Sequence, residues 1–124
     1  MIKGHRGLQV FQRAYGLAME VYQISKAFPK DERFALTDQV RRSSRSVAAN
    51  IAEGYRRHRY PNMLLARFTD ADAEATETQV WIAFARDCGH LPADKAESLL
   101  IGYEEVGRMI GRILTDPSRF RHKG

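Results

Sequence analysis

Six arginines crowd one short stretch of this chain. Arg41, Arg42, Arg45, Arg56, Arg57 and Arg59 lie in QVRRSSRSVAANIAEGYRRHRY, residues 39–60, and Glu53 is the only acidic residue among them. Their net charge of +5 equals that of the whole chain, so the rest of the sequence is balanced and the basic character is local. A planar guanidinium fork matches two phosphate oxygens at once, which makes an arginine-only cluster suited to polyanions. At roughly 100° per helical residue, Arg45 falls about 40° and Arg56 about 60° from Arg41, with Arg42 near about 100°. Arg59 returns close to Arg41 if the helix persists that far. The apolar residues of the same stretch centre near about 270°. The arginines are therefore expected to share one side, away from the core. Tyr55 and Tyr60 flank them and offer rings for stacking on bases, although Tyr55 also fits the core stripe. The competing reading is a solvated face, or ion pairs with Asp70, Asp72, Glu74 and Glu77 of a later helix or another subunit.

Other residues with chemical potential do not converge in the sequence. His5, His58, His90 and His122 sit at termini or loop edges. Cys88 and His90 are two ligands where a structural zinc site takes four. Asp70, Glu74 and Glu77 share a helix face, but di-metal bundles need Glu-x-x-His pairs, and none occurs. There is no G-x-S-x-G, P-loop or G-x-G-x-x-G. The reading is non-enzymatic, with no cofactor and no metal.

The elements that must position the arginines are helical. Helix breakers divide the chain into four windows of helical period. The first, about residues 8–28, has an apolar or small stripe at Phe11, Ala14, Ala18, Val21, Ser25 and Phe28, and Pro29 ends it. The second, about 36–55 with a possible extension to 59, carries Leu36, Val40, Val47, Ile51 and Tyr55. Thr37 is its expected N-cap, and Asp38 favours the positive end of its dipole. Pro61 closes this window or opens the next. The third, about 62–88, carries Leu64, Phe68, Ala71, Ala75, Thr78, Ile82 and Ala85, with Trp81, Phe84 and Cys88 on a second face and Gly89 as its stop. The fourth, about 93–115, carries Leu99, Tyr103, Val106, Ile110 and Ile113. Short loops imply antiparallel neighbours, so the fold class is all-α, an antiparallel up-down four-helix bundle.

Length and composition agree. The 124 residues make one domain, 1–124, with loose termini at about 1–7 and 117–124. With 44% hydrophobic and 28% charged residues, the chain has the makings of a folded core rather than a disordered segment. The single cysteine forbids an internal disulfide and fits a reducing cytoplasm. The start lacks a signal-peptide h-region, and no apolar run approaches the roughly 20 residues of a membrane span.

Two blocks carry a family resemblance. FPKDERFALTDQVRRSSRSVAANIAEG, residues 28–54, resembles F-P-x-x-E-x-x-x-L-x-x-Q-[IV]-R-R-[AS]-x-x-S-[IV]-x-x-N-I-A-E-G. EATETQVWIAFARDCGHL, residues 74–91, resembles E-x-E-T-Q-L-x-[IL]-A-x-x-x-G-[YH]-[LI]. The chain thus resembles the 23S rRNA intervening-sequence proteins, relatives of the accessory variability determinant of diversity-generating retroelements. The resemblance covers nearly the whole chain. It implies a four-helix bundle, commonly a homopentameric ring, with a basic surface for nucleic acid. Some relatives are encoded within intervening sequences of bacterial rRNA genes, and the retroelement relatives bind a reverse transcriptase and RNA. The chain departs from the pattern at Arg45, where many members are apolar, at Ala48-Ala49, and in the more basic run YRRHRYPNM, residues 55–63.

Within the motif, Asn50, Glu53 and Gly54 read first as structural. Asn50 is placed to hydrogen-bond a neighbouring helix, Glu53 to pair with Arg57 at i, i+4, and Gly54 to permit a close crossing. The expected function is oligomeric nucleic-acid binding, RNA before DNA, through the six arginines. The alternative is a structural adaptor for a protein partner such as a reverse transcriptase, motivated by Trp81 and Phe84. A membrane partner is not expected, since no large apolar face adjoins the basic side.

Overall fold

The computed structural model describes residues 4–118. Four helices, α1 (Gln9–Ser25), α2 (Leu36–Arg56), α3 (Pro61–Asp87) and α4 (Ala93–Thr115), form a helical bundle. There is no strand among the described residues. Gly4–Gly7, within the stretch expected to be loose, make a short 3-10 turn. Residues 1–3 and 119–124, the remainder of those termini apart from the described Pro117 and Ser118, lie outside the described residues. His122 is among them.

Local chemistry sets the boundaries. α1 stops at Ser25 rather than Phe28, because Lys26, Ala27 and Phe28 tighten into i→i−3 hydrogen bonds on approach to Pro29. A second 3-10 turn, Lys30–Glu32, follows. The N-cap of α2 is Ala35, not Thr37, and no side chain caps it. Thr37 lies inside the first turn and is buried, so it belongs to the bundle interior rather than to the helix end. Asp38 does occupy the first turn. Pro61 opens α3, where its missing N–H costs nothing. At the far end of α3, Gly89 takes φ +79, a left-handed conformation that favours glycine. His90 N–H then reaches back to the Ala85 carbonyl at 2.8 Å.

The α3 seam is buried throughout, from Leu64 to Ala85. On α1 the buried residues are Val10, Ala14, Leu17, Val21 and Ser25, so the stripe passes through Val10 and Leu17 where Phe11 and Ala18 were expected. Both of those lie half-buried at its edge. On α2, Ser43, Ser44, Ala48, Asn50 and Gly54 join the expected Leu36, Val40, Val47 and Ile51 in the interior, while Tyr55 is only half-buried. Serines can line this interior because their hydroxyls are satisfied locally: Ser43 donates to the Val40 carbonyl and Ser44 to the Arg41 carbonyl. The Thr78 hydroxyl lies 2.8 Å from both Ser43 Oγ and the Glu74 carbonyl, tying α3 to α2 through the core.

Glycines set two close crossings. A Cβ at Gly54 would stand 2.8 Å from the buried Phe68 ring, and one at Gly102 would stand 2.6 Å from Leu17. The first brings α2 against α3, the most extensive helix contact in the bundle.

Candidate nucleic-acid interface

The bundle divides the six arginines. Arg41 and Arg45 lean toward α1, with their guanidinium carbons 4.9 and 5.8 Å from the centre of the Tyr22 ring. Arg41 is pinned there, since its Nε donates to Ser25 Oγ at 2.7 Å. Ser25 is itself fixed by donating to the Tyr22 carbonyl. Lys26 joins from α1's end, its Nζ 4.7 Å from the same ring. Three cations thus surround one half-buried tyrosine. None of them has a carboxylate within 4.0 Å among the described residues. Each exposed cation–π contact contributes only about 0.5–1 kcal/mol. That holds the side chains without neutralising them.

Arg42 turns the other way. Its Nη2 meets Glu77 Oε2 of α3 at 3.2 Å, and the same oxygen accepts the Trp81 indole N–H at 3.1 Å. The arginines therefore do not share one side, because each long side chain takes the nearest ring or carboxylate and α2 has different neighbours on its two flanks. Of the four carboxylates considered as partners, Glu77 is the one that meets a member of the cluster.

Arg56, Arg57 and Arg59 form a separate group. α2 ends at Arg56, Arg57 is its C-cap, and Arg59 lies in the turn before α3. Arg59 thus does not return to the Arg41 face as a continued helix would have it. Arg45 and Arg56 are eleven residues apart, about 16 Å along the axis. All three side chains of this group are exposed, with no ion pair among the described residues. They also complement the negative end of the α2 dipole. Nearby, Tyr55 stacks on His58 with ring centres 5.1 Å apart, and Tyr60 is 63% exposed.

Asn50, Glu53 and Gly54 meet at the α2–α3 crossing. Arg67 of α3 organises them: it contacts Asn50 Oδ1 at 3.4 Å, Glu53 at 3.7 Å and Asp70 at 3.8 Å. Asn50 also donates to the Ser46 carbonyl and hydroxyl. Glu53 pairs with Arg67 rather than Arg57, because Arg57 has left helical geometry and Arg67 is brought across by the close approach at Gly54. These residues fasten two helices together.

Lys26, Tyr22 and Arg67 are the members that sequence reasoning missed. Tyr22 and Lys26 are spaced i, i+4 on α1, a signal for a cation over a ring, but nothing along the chain says which part of α2 they face.

A family model described as 23S rRNA-intervening sequence protein matches residues 6–112. Among solved structures, the chain is similar to a protein of unknown function from the S23 ribosomal protein family of Bacteroides thetaiotaomicron VPI-5482. That match has a TM-score of 0.77 and 20% identity, covering 86% of this chain and 95% of the other. At that identity the likeness concerns the fold. No curated protein matches the chain.

Proposed function

The chain belongs to the 23S rRNA-intervening sequence protein family, and from that premise we propose that it is a non-enzymatic, oligomeric nucleic-acid-binding protein that holds RNA by its phosphates. The observation that carries this reading is the gathering of Lys26, Arg41 and Arg45 around Tyr22 without a counter-carboxylate. Three unneutralised cations repel one another, and a phosphate relieves that repulsion. The Arg41 fork is already oriented by Ser25, so less conformational freedom is lost on binding. Arg56, Arg57 and Arg59 supply a second contact along the same strand. RNA is preferred to DNA because the family's description ties it to an rRNA intervening sequence.

The architecture proposed for this role is an up-down bundle with antiparallel neighbours. Several pairings support it: Arg42 with Glu77 and Asn50 with Arg67 across α2 and α3, Arg13 with Glu105 across α1 and α4. In each, an earlier residue on one helix meets a later residue on the other. A homopentameric ring, as the family resemblance implies, would repeat the basic surface around its rim. A cytoplasmic location suits an RNA ligand, and no helix among the described residues is long and apolar enough to cross a membrane.

Filter binding of structured RNA and of duplex DNA to the purified protein tests the proposal. It predicts binding to RNA that weakens steeply with salt, and RNA that competes better than DNA for the protein. Absence of RNA binding at low salt would overturn it.

A second reading has its own observation. Phe34 is 84% exposed and Phe84 53% exposed, and Phe84 and Trp81 line a groove against Leu36. That face suits a protein partner, a reverse transcriptase in the retroelement relatives. Recovery of a specific partner after nuclease treatment would favour this adaptor role.

A further inference from the structure

The sequence supplies a soft thiol and a borderline imidazole, Cys88 and His90, and the fold supplies a carboxylate from 58 residues away in Glu32. One Glu32 carboxylate oxygen, the Cys88 sulfur and a His90 ring nitrogen all lie within 4.8 Å of one another. His90 Nε2 and Glu32 Oε2 are 3.0 Å apart, and both side chains are largely covered, at 18% and 24% exposure. Their placement follows from the chain reversal at the end of α3. Gly89, at φ +79, lets His90 N–H return to the Ala85 carbonyl. The His90 ring then rests near the buried Phe28, and Phe28-Pro29 delivers the turn that carries Glu32. Cys88 stays exposed.

We propose that Glu32, Cys88 and His90 form a mononuclear site for a borderline-soft divalent cation of the zinc class. Thiolate, imidazole and carboxylate are together the donor set that zinc takes, and three protein ligands leave the fourth tetrahedral position open. Zinc bonds of about 2.0–2.3 Å place the donors of a tetrahedron about 3.3–3.6 Å apart. The Glu32–His90 contact is already near that span. Closing the remainder asks for a shift of about 1 Å by the exposed Cys88 side chain, within reach of a χ1 adjustment. On binding, the Cys88 S–H bond breaks, its proton goes to solvent, and the sulfur electron pair is donated to the metal. Any proton shared between His90 and Glu32 leaves in the same way. Glu32 and Cys88 also line the groove beside Leu36, Trp81 and Phe84, so the fourth position is available to water or to a donor entering along it.

Cobalt titration of the reduced protein tests this. Co²⁺ is expected to bind once per chain, to give a thiolate-to-metal charge-transfer band in the near ultraviolet, and to be displaced by Zn²⁺. Cys88→Ser should abolish the band and weaken Zn²⁺ binding about tenfold or more. His90→Gln should also weaken Zn²⁺ binding, with circular dichroism reporting whether the bundle persists. Because Cys88 is exposed, Cys88→Ser leaves the fold intact and decides the matter. Failure to bind one equivalent of Zn²⁺, or equal affinity in Cys88→Ser, would overturn the site. RNA binding by Arg41 and Arg45 does not enter either result.

Discussion

Arg42 and Arg45 stand three residues apart and have opposite fates. Arg42 is tied to Glu77 and, through it, to the Trp81 indole, whereas Arg45 lies over the Tyr22 face with no ion pair among the described residues. Both Arg42 and Glu77 are partly exposed, so that ion pair contributes at most about 1 kcal/mol. Arg42→Ala is therefore expected to lower stability by less than about 1 kcal/mol and to leave RNA affinity nearly unchanged. Arg45→Ala should do the reverse, and parallel denaturation and filter-binding measurements on the two variants compare them directly. Tyr103 makes a different point at this scale. Burial pushes its phenol well above the usual range, against the opposing influence of Ser44. The Ser44 hydroxyl donates to the Arg41 carbonyl, however, and among the described residues the phenol oxygen has no partner at hydrogen-bond geometry. Tyr103→Phe removes that buried orphan and is expected to stabilise the protein by about 1 kcal/mol in urea denaturation. A loss of stability would show that the hydroxyl is satisfied. None of these distinctions was visible in the arginine spacing. The sequence angle is a property of one helix, while the partners Tyr22, Lys26 and Glu77 belong to two others.

Helix crossings depend on how closely backbones approach, and two glycines separate that requirement from helix propensity. Gly16 lies exposed on α1, and a Cβ there would meet nothing within 4 Å. Gly16→Ala should raise stability by about 0.5–1 kcal/mol. Gly54 gains the same propensity but sets a Cβ against the Phe68 ring, which is fully buried and has little room to retreat. Gly54→Ala should therefore cost about 1–3 kcal/mol net of that gain, and also loosen the Arg67 contacts to Asn50 and Glu53. Equal shifts in the two melting temperatures would contradict the close crossing. At this scale the sequence was most informative. The α3 seam was legible in full, because its three-four alternation runs unbroken for six steps from Leu64 to Ala85, long enough to fix the register despite the apolar neighbours Leu65, Trp81 and Phe84. α1 was less so: Val10 and Phe11, and Leu17 and Ala18, are adjacent apolar pairs, and periodicity alone does not choose between the members of a pair. The boundary at Ser25 was missed because Pro29 acts three residues ahead of itself, through the turn that it requires. Glu32 and His90 were invisible as a pair, since only the finished bundle places the turn after α1 beside the turn after α3.

For the molecule as a whole, the localisation of charge and the exposed aromatics bear on assembly and ligand together. Phe34, Phe84 and the groove beside Trp81 leave apolar surface uncovered in the single chain. Light scattering is expected to give a mass about five times that of the 14.2 kDa chain, and a monomer in dilute solution would remove the proposed ring. Whatever the assembly, phosphate binding makes a quantitative demand. Each phosphate neutralised contributes about 0.7–0.9 to the slope of log affinity against log salt concentration. The decisive measurement is that slope for structured RNA, compared between the wild-type protein and the Arg41→Ala, Arg45→Ala double variant. The account predicts a salt-dependent affinity whose slope falls in magnitude by about 1.5 in the double variant, with the bundle still folded. Superimposable salt dependences for the two proteins would contradict it.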